Sequence, residues 1–185
     1  MPHRPRPPLA SRHPVHVTLR VKGHVWSLRA RRCFRHVAAA FRAATAARER
    51  RGFRLNEYSV QGNHLHLIVE AADEMRLSRG LQSLEIRIAK NLNGVMDTRG
   101  PVFADRYHAH ILRTPAEVRN ALAYVRGNFA LHAERRGEMV AAHADPCSSV
   151  ALVDCKLPDE DGPPLVSKAT TWLLAIGWRR LRDRR

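Results

Sequence analysis

The chain is short of cysteine, of acidic side chains and of long apolar runs. Each shortage excludes something. Cys33, Cys147 and Cys155 are odd in number and irregularly spaced among 185 residues. That pattern argues against a disulfide framework and for a reducing cytosol. Cys147 and Cys155, with His143 nearby, match no familiar zinc-finger spacing. No apolar run reaches the roughly eighteen residues of a membrane span, so a membrane is not an expected partner. The proline-rich, basic N-terminus lacks an apolar signal core, so no export signal is expected. Aromatics make up only 6%. That scarcity suits tracking of a phosphate backbone better than broad stacking on bases. No internal repeat is visible.

What the chain has is positive charge. Lys and Arg number 32 against 17 acidic residues, a formal net charge of +15. Such an excess points to a polyanionic partner, most often nucleic acid. A membrane-surface protein can be equally basic, but no long amphipathic helix here has the lysine-rich face and bulky apolar face it needs. Apolar residues at 44% provide for a packed core, and the length suits one domain with extensions.

Residues 1–14 hold prolines and arginines and are expected to form a disordered basic arm. Val15 to Val21 alternates and is rich in β-branched residues, which predicts a strand with His16, Thr18 and Arg20 on one face. Phe34, Val37, Ala38, Phe41 and Ala44 or Thr45 recur at helical spacing in a run from about residue 29 to 50, with Gly52 as its stop. Residues 53–60 and 64–70 read as strands joined at Gln61-Gly62-Asn63. Leu77, Leu81, Leu84, Ile88 and Leu92 predict a second helix from Glu74, ending at Gly94. Residues 105–113 read as a fourth strand. Thr114, Pro115 and Glu117 then form a helix start, and that helix runs to about Arg136. Residues 143–165 read as irregular, with an acidic patch at 159–161. A last helix is expected over roughly 167–181. This β-α-β-β-α-β order is the ferredoxin-like α+β pattern, an antiparallel sheet with two helices on one face. A further helix follows the last strand. The first and third strands are expected at the centre. The division is an arm over 1–14, a domain over 15–137 and a C-terminal extension over 138–185.

Chemistry gathers on the third strand. Strand alternation puts His64 and His66 on one face, with Leu65 and Leu67 on the other. Two neutral imidazoles side by side make a bidentate metal platform. Tyr124 and Asn128 stand four apart, one turn apart on one face of the helix after the last strand. The Asn128 amide oxygen would complete a set of two nitrogens and one oxygen.

These residues resemble the REP-associated tyrosine transposases, within the single-tyrosine HUH transposase superfamily. Residues 63–69, Asn-His-Leu-His-Leu-Ile-Val, resemble that family's Asn-His-x-His strand. Residues 102–108 resemble its segment before the last strand. Tyr124 to Asn128 resembles its nucleophile helix, although Phe129 stands where many members have proline. The likeness covers roughly residues 14–137 and extends to 171–178. It implies metal-dependent cleavage and rejoining of single-stranded DNA at hairpin-forming repeats, through a 5′-phosphotyrosine. Tyr124 would be the nucleophile. His64, His66 and Asn128 would hold Mg²⁺ or Mn²⁺. The partner would be single-stranded or hairpin DNA, bound by a monomer or homodimer in a bacterial cytoplasm, at the nucleoid.

Other readings stand beside this one. His108 and His110 form a second His-x-His on the fourth strand. Arg20, Lys22, Arg106, Arg113, Arg119 and Arg126 are candidates for a phosphate track, and Trp26 for stacking on a base. A relative that holds hairpin DNA or RNA without cutting is the alternative function. A zinc hydrolase using His64, His66 and the carboxylate of Glu57 or Glu70 is a third class.

Overall fold

A computed structural model describes residues 8–46, 52–135, 145–150 and 164–181. Residues 1–7, His143, Cys155 and the acidic patch at 159–161 lie outside the described residues.

Alternation builds the sheet. Strands β1 (Val15–Arg20), β2 (Phe53–Val60), β3 (His64–Ala71) and β4 (His108–Ile111) form one antiparallel sheet in the order β2-β3-β1-β4. The first and third strands are central, as the pattern requires. The inward set of Val15, Val17, Leu19, Leu55, Tyr58, Leu65, Leu67 and Val69 is essentially fully buried. Helices α1 (Arg31–Ala46) and α2 (Glu74–Met96) cover that face. Phe41 and Phe34 of α1 and Leu81, Leu84, Ile88 and Leu92 of α2 complete the cluster. Burying each large side chain contributes about 1.5–3 kcal/mol before entropy is charged.

Several boundaries differ from the sequence pattern. Helix α1 starts at Arg31, because the Ala30 N–H is turned back onto Ser27 O while Ala30 O accepts the first helical bond, from Phe34. Helix α2 runs through Gly94 to Met96. It ends at Asp97, which takes the left-handed conformation (φ 51°) and donates its N–H to Asn93 O and Gly94 O. Strand β4 is shorter than expected. The last helix is a single turn, α4 (Trp172–Ala175), capped by Thr171 and followed by a 3₁₀ turn over Gly177–Arg180. Within the expected arm, residues 8–14 are described, and Leu9 packs against the core.

Helix α3 (Pro115–Arg135) lies on the other face of the sheet. Its residues Val118, Ala121, Leu122 and Val125 pack on Ile68 and Leu112 and against Leu173 and Leu174. The C-terminal segment is pinned by Glu70. That buried carboxylate accepts hydrogen bonds from Thr170 N, Thr170 Oγ1, Thr171 N and Asn56 Nδ2. Among the described residues, no helix is long and apolar enough to cross a membrane.

Candidate active site

The strand register gathers imidazoles on the face away from α1 and α2. His64 lies opposite Arg20, His66 opposite Thr18, and Ile68 opposite His16. On the other flank of β1, His110 lies opposite His16 and His108 opposite Thr18. Directly opposed residues share a face. His16, His64, His66, His108 and His110 therefore all belong to one surface of the sheet. The His64 and His66 ring centroids are 4.8 Å apart, and those of His16 and His66 are 5.4 Å apart. His108 and His110 sit two strands from β3, about 10 Å at the usual strand spacing, and are exposed.

Local hydrogen bonds orient the two β3 rings. His64 Nδ1 lies 2.8 Å from Asn63 Oδ1. An amide oxygen only accepts, so this contact favours the neutral tautomer with the proton on Nδ1 and the lone pair on Nε2. His66 Nδ1 lies 3.2 Å from Thr18 Oγ1. Oxygen partners behind Nδ1 are the arrangement that orients an imidazole for a metal at its other nitrogen. His64 and His66 thus fit a divalent cation as a two-nitrogen platform. Among the described residues, no three His, Cys, Asp or Glu side chains group as a metal site.

Helix α3 brings the tyrosine. Its start is a reciprocal cap: Glu117 N donates to Thr114 Oγ1, and the Glu117 carboxylate accepts from the N–H groups of Arg113 and Thr114. The apolar stripe then fixes the helix rotation, and Tyr124 falls at the stripe's edge. Its hydroxyl lies 3.4 Å from His66 Nε2, and its ring meets His66 edge-on at 5.0 Å. Tyr124 is 41% exposed, whereas Tyr58 is 1% exposed and Tyr107 is half-buried against the core. Burial, with Cys147 and Asp145 adding to it, pushes the Tyr58 hydroxyl well above the usual tyrosine range. Of the three tyrosines, Tyr124 alone is exposed beside the imidazoles.

Asn128 is placed differently from the spacing argument. It is one turn from Tyr124 but lies in the buried stripe, 1% exposed, and its Nδ2 has no hydrogen-bond partner among the described residues. The arginines also divide. Arg20, Arg106 and Arg113 are exposed, and Lys22 and Arg119 are half-buried. Arg126 pairs with Glu57 at 2.5 Å, a contact between α3 and β2 that no local pattern discloses. Trp26 is exposed at 39%, with the Arg32 guanidinium 3.9 Å from its ring centroid.

The carboxylates considered for a zinc hydrolase are engaged elsewhere. Glu57 is held by Arg126 and Ser149, and Glu70 by the C-terminal segment. Cys147 is buried, and burial pushes its thiol up to about 11. The residue missed in the sequence is His16. Its Nε2 is buried without a hydrogen-bond partner among the described residues, and its ring lies 5.8 Å from that of Tyr124. Burial, and to a lesser extent the charge on His110, lowers its pKa. Alternation already put His16 on the face of Thr18 and Arg20. The missing signal was the register that sets this face against β3.

No protein-family model and no curated protein sequence matches the chain. Solved structures do. A REP-associated tyrosine transposase bound to a REP hairpin aligns with a TM-score of 0.61 at 14% identity, covering 92% of this chain and 93% of that one. The fold is shared with that structure. A candidate transposase from Deinococcus radiodurans R1 aligns with a TM-score of 0.44 at 12% identity, covering 75% of this chain and 98% of that one.

Proposed function

We propose that this chain cleaves and rejoins single-stranded DNA as a tyrosine transposase, with Tyr124 as nucleophile. The observation that carries the reading is the Tyr124 hydroxyl within 3.4 Å of His66 Nε2 in a single chain. In this reading nucleophile and metal platform come from the same chain.

The Tyr124 oxygen attacks the scissile phosphorus. A phosphorus–tyrosine bond forms as the bond to the 3′-oxygen breaks, and the 3′-hydroxyl leaves with a proton. The 5′-phosphotyrosine retains the bond energy for rejoining, when a 3′-hydroxyl attacks in the reverse sense. Free tyrosine titrates at about 10 and is a weak nucleophile at neutral pH. His64 and His66, with Asn128 as third ligand, would hold Mg²⁺ or Mn²⁺, which would polarise the phosphate and offset charge on its oxygens. Arg20, exposed beside His64, with Lys22, Arg106, Arg113 and Arg119, supplies the electrostatic attraction for the strand. The hairpin seen with the structural neighbour suggests a hairpin-bearing strand as substrate.

A second reading has one observation behind it. Asn128 is 1% exposed and His66 5% exposed, so two of the three would-be ligands are buried. A module that binds hairpin DNA or RNA without cutting accommodates that burial. Incubation with Mn²⁺ and labelled single-stranded DNA separates the readings on a denaturing gel. A covalent adduct supports the transposase reading. Binding without adduct supports the module. Hydrolysis without adduct contradicts both.

A further inference from the structure

Beside Tyr124, on the side away from His64, a cleft of about 420 Å³ opens between α3 and the β4 edge of the sheet. His16, His110, Leu112, Glu117, Asn120, Ala121 and Tyr124 line it. We propose that this cleft is a nucleobase subsite, which takes the unpaired base of the nucleotide flanking the scissile phosphate. The inference rests on the transposase reading for which nucleotide is bound, and on the cleft itself for the class of ligand.

The lining selects a neutral, flat group. Among the described residues no Lys or Arg lines the cleft, in a chain of net charge +15. The Glu117 carboxylate is engaged by the backbone N–H groups of Arg113 and Thr114. Among the described residues, the His110 imidazole is the one group of the lining that can carry positive charge toward a phosphate. Leu112 and Ala121 supply an apolar floor, while the rings of His16, His110 and Tyr124 offer faces and edges for stacking. His16 Nε2 is a buried polar atom without a partner among the described residues, and Asn120 is an exposed amide at the rim. A base edge presents donors and acceptors suited to an imidazole nitrogen and an amide. The volume falls within the roughly 300–1,000 Å³ of small-molecule sites. Tyr124 belongs to both the cleft and the His66 contact, so an occupant of the cleft adjoins the reacting phosphate.

The test is equilibrium binding of a fluorescent DNA hairpin with single-stranded flanks, with an abasic residue moved through the flanks position by position. One position is expected to cost the unaltered protein roughly five- to a hundredfold in affinity. In His16→Ala, and separately in Asn120→Trp, which fills the cleft from an exposed position of α3, that penalty should largely vanish. Penalties that persist in full in both variants overturn the inference, as does the absence of any sensitive position. Binding rather than cleavage is read, so failure of the covalent chemistry leaves this result standing. Adduct formation without a sensitive position would reject the cleft alone.

Discussion

Thr18 and His66 face each other across the β1–β3 ladder, with Thr18 Oγ1 3.2 Å from His66 Nδ1. The hydroxyl orients the ring whose other nitrogen meets Tyr124. Thr18→Val keeps the shape and the β-branching and removes the hydroxyl. Mn²⁺ affinity is predicted to fall roughly tenfold while the protein stays folded. Calorimetric titration checks this. Unchanged affinity would remove Thr18 from the site's supporting structure. The double variant His108→Ala/His110→Ala should leave Mn²⁺ affinity intact.

Glu70 holds the C-terminal segment to the sheet. Glu70→Gln keeps one acceptor oxygen and loses the charge that four donors share. A loss of about 1.5–3 kcal/mol is expected in denaturant unfolding. The α4 region should also lose amide protection first. A variant as stable as the parent would contradict the role given to Glu70.

Gly80 lies within α2, where alanine ordinarily gains up to about 1 kcal/mol. Here a Cβ would come within 2.2 Å of the Phe53 ring on β2. Gly80→Ala is therefore predicted to destabilise by about 1–3 kcal/mol, the usual cost of overpacking. A gain in thermal stability would show that Phe53 relaxes freely.

Glu85 on α2 has a buried Oε1 without a hydrogen-bond partner among the described residues, and burial raises its pKa from 4.5. The folded state then binds its proton more tightly than the unfolded state. The resulting cost is absent below the unfolded pKa, grows as pH rises through the folded pKa, and is complete above it. Glu85→Gln should therefore stabilise the protein at neutral pH, and the gain should disappear in acid. Unfolding midpoints across that pH range test the sign. A gain that persists unchanged below pH 4.5 would contradict it.

Local signals carried the sheet far. Alternation assigned the faces of β1 and β3, and the element order put both at the centre. Gly94 misled because a helix end is set by backbone conformation, and Asp97 rather than glycine takes the left-handed position. The candidate site was expected as two pairs, His64 with His66 and Tyr124 with Asn128, and of the second pair Tyr124 is exposed while Asn128 is buried. Bringing the pairs together depends on how α3 crosses the sheet, where Val118, Ala121, Leu122 and Val125 share one buried cluster with Ile68. The burial of Asn128, the Arg126–Glu57 pair and the place of His16 are consequences of that crossing. No short window of sequence contains them.

The central claim is that Tyr124 carries the DNA. After incubation with Mn²⁺ and single-stranded hairpin DNA, the protein is digested with nuclease and trypsin and its peptides are analysed by mass spectrometry. The account predicts a nucleotide remnant on the peptide between Arg119 and Arg126, at Tyr124, and its loss in a folded, DNA-binding Tyr124→Phe variant. A remnant on the peptide between Arg106 and Arg113, which carries Tyr107, or an undiminished adduct in Tyr124→Phe, would contradict it.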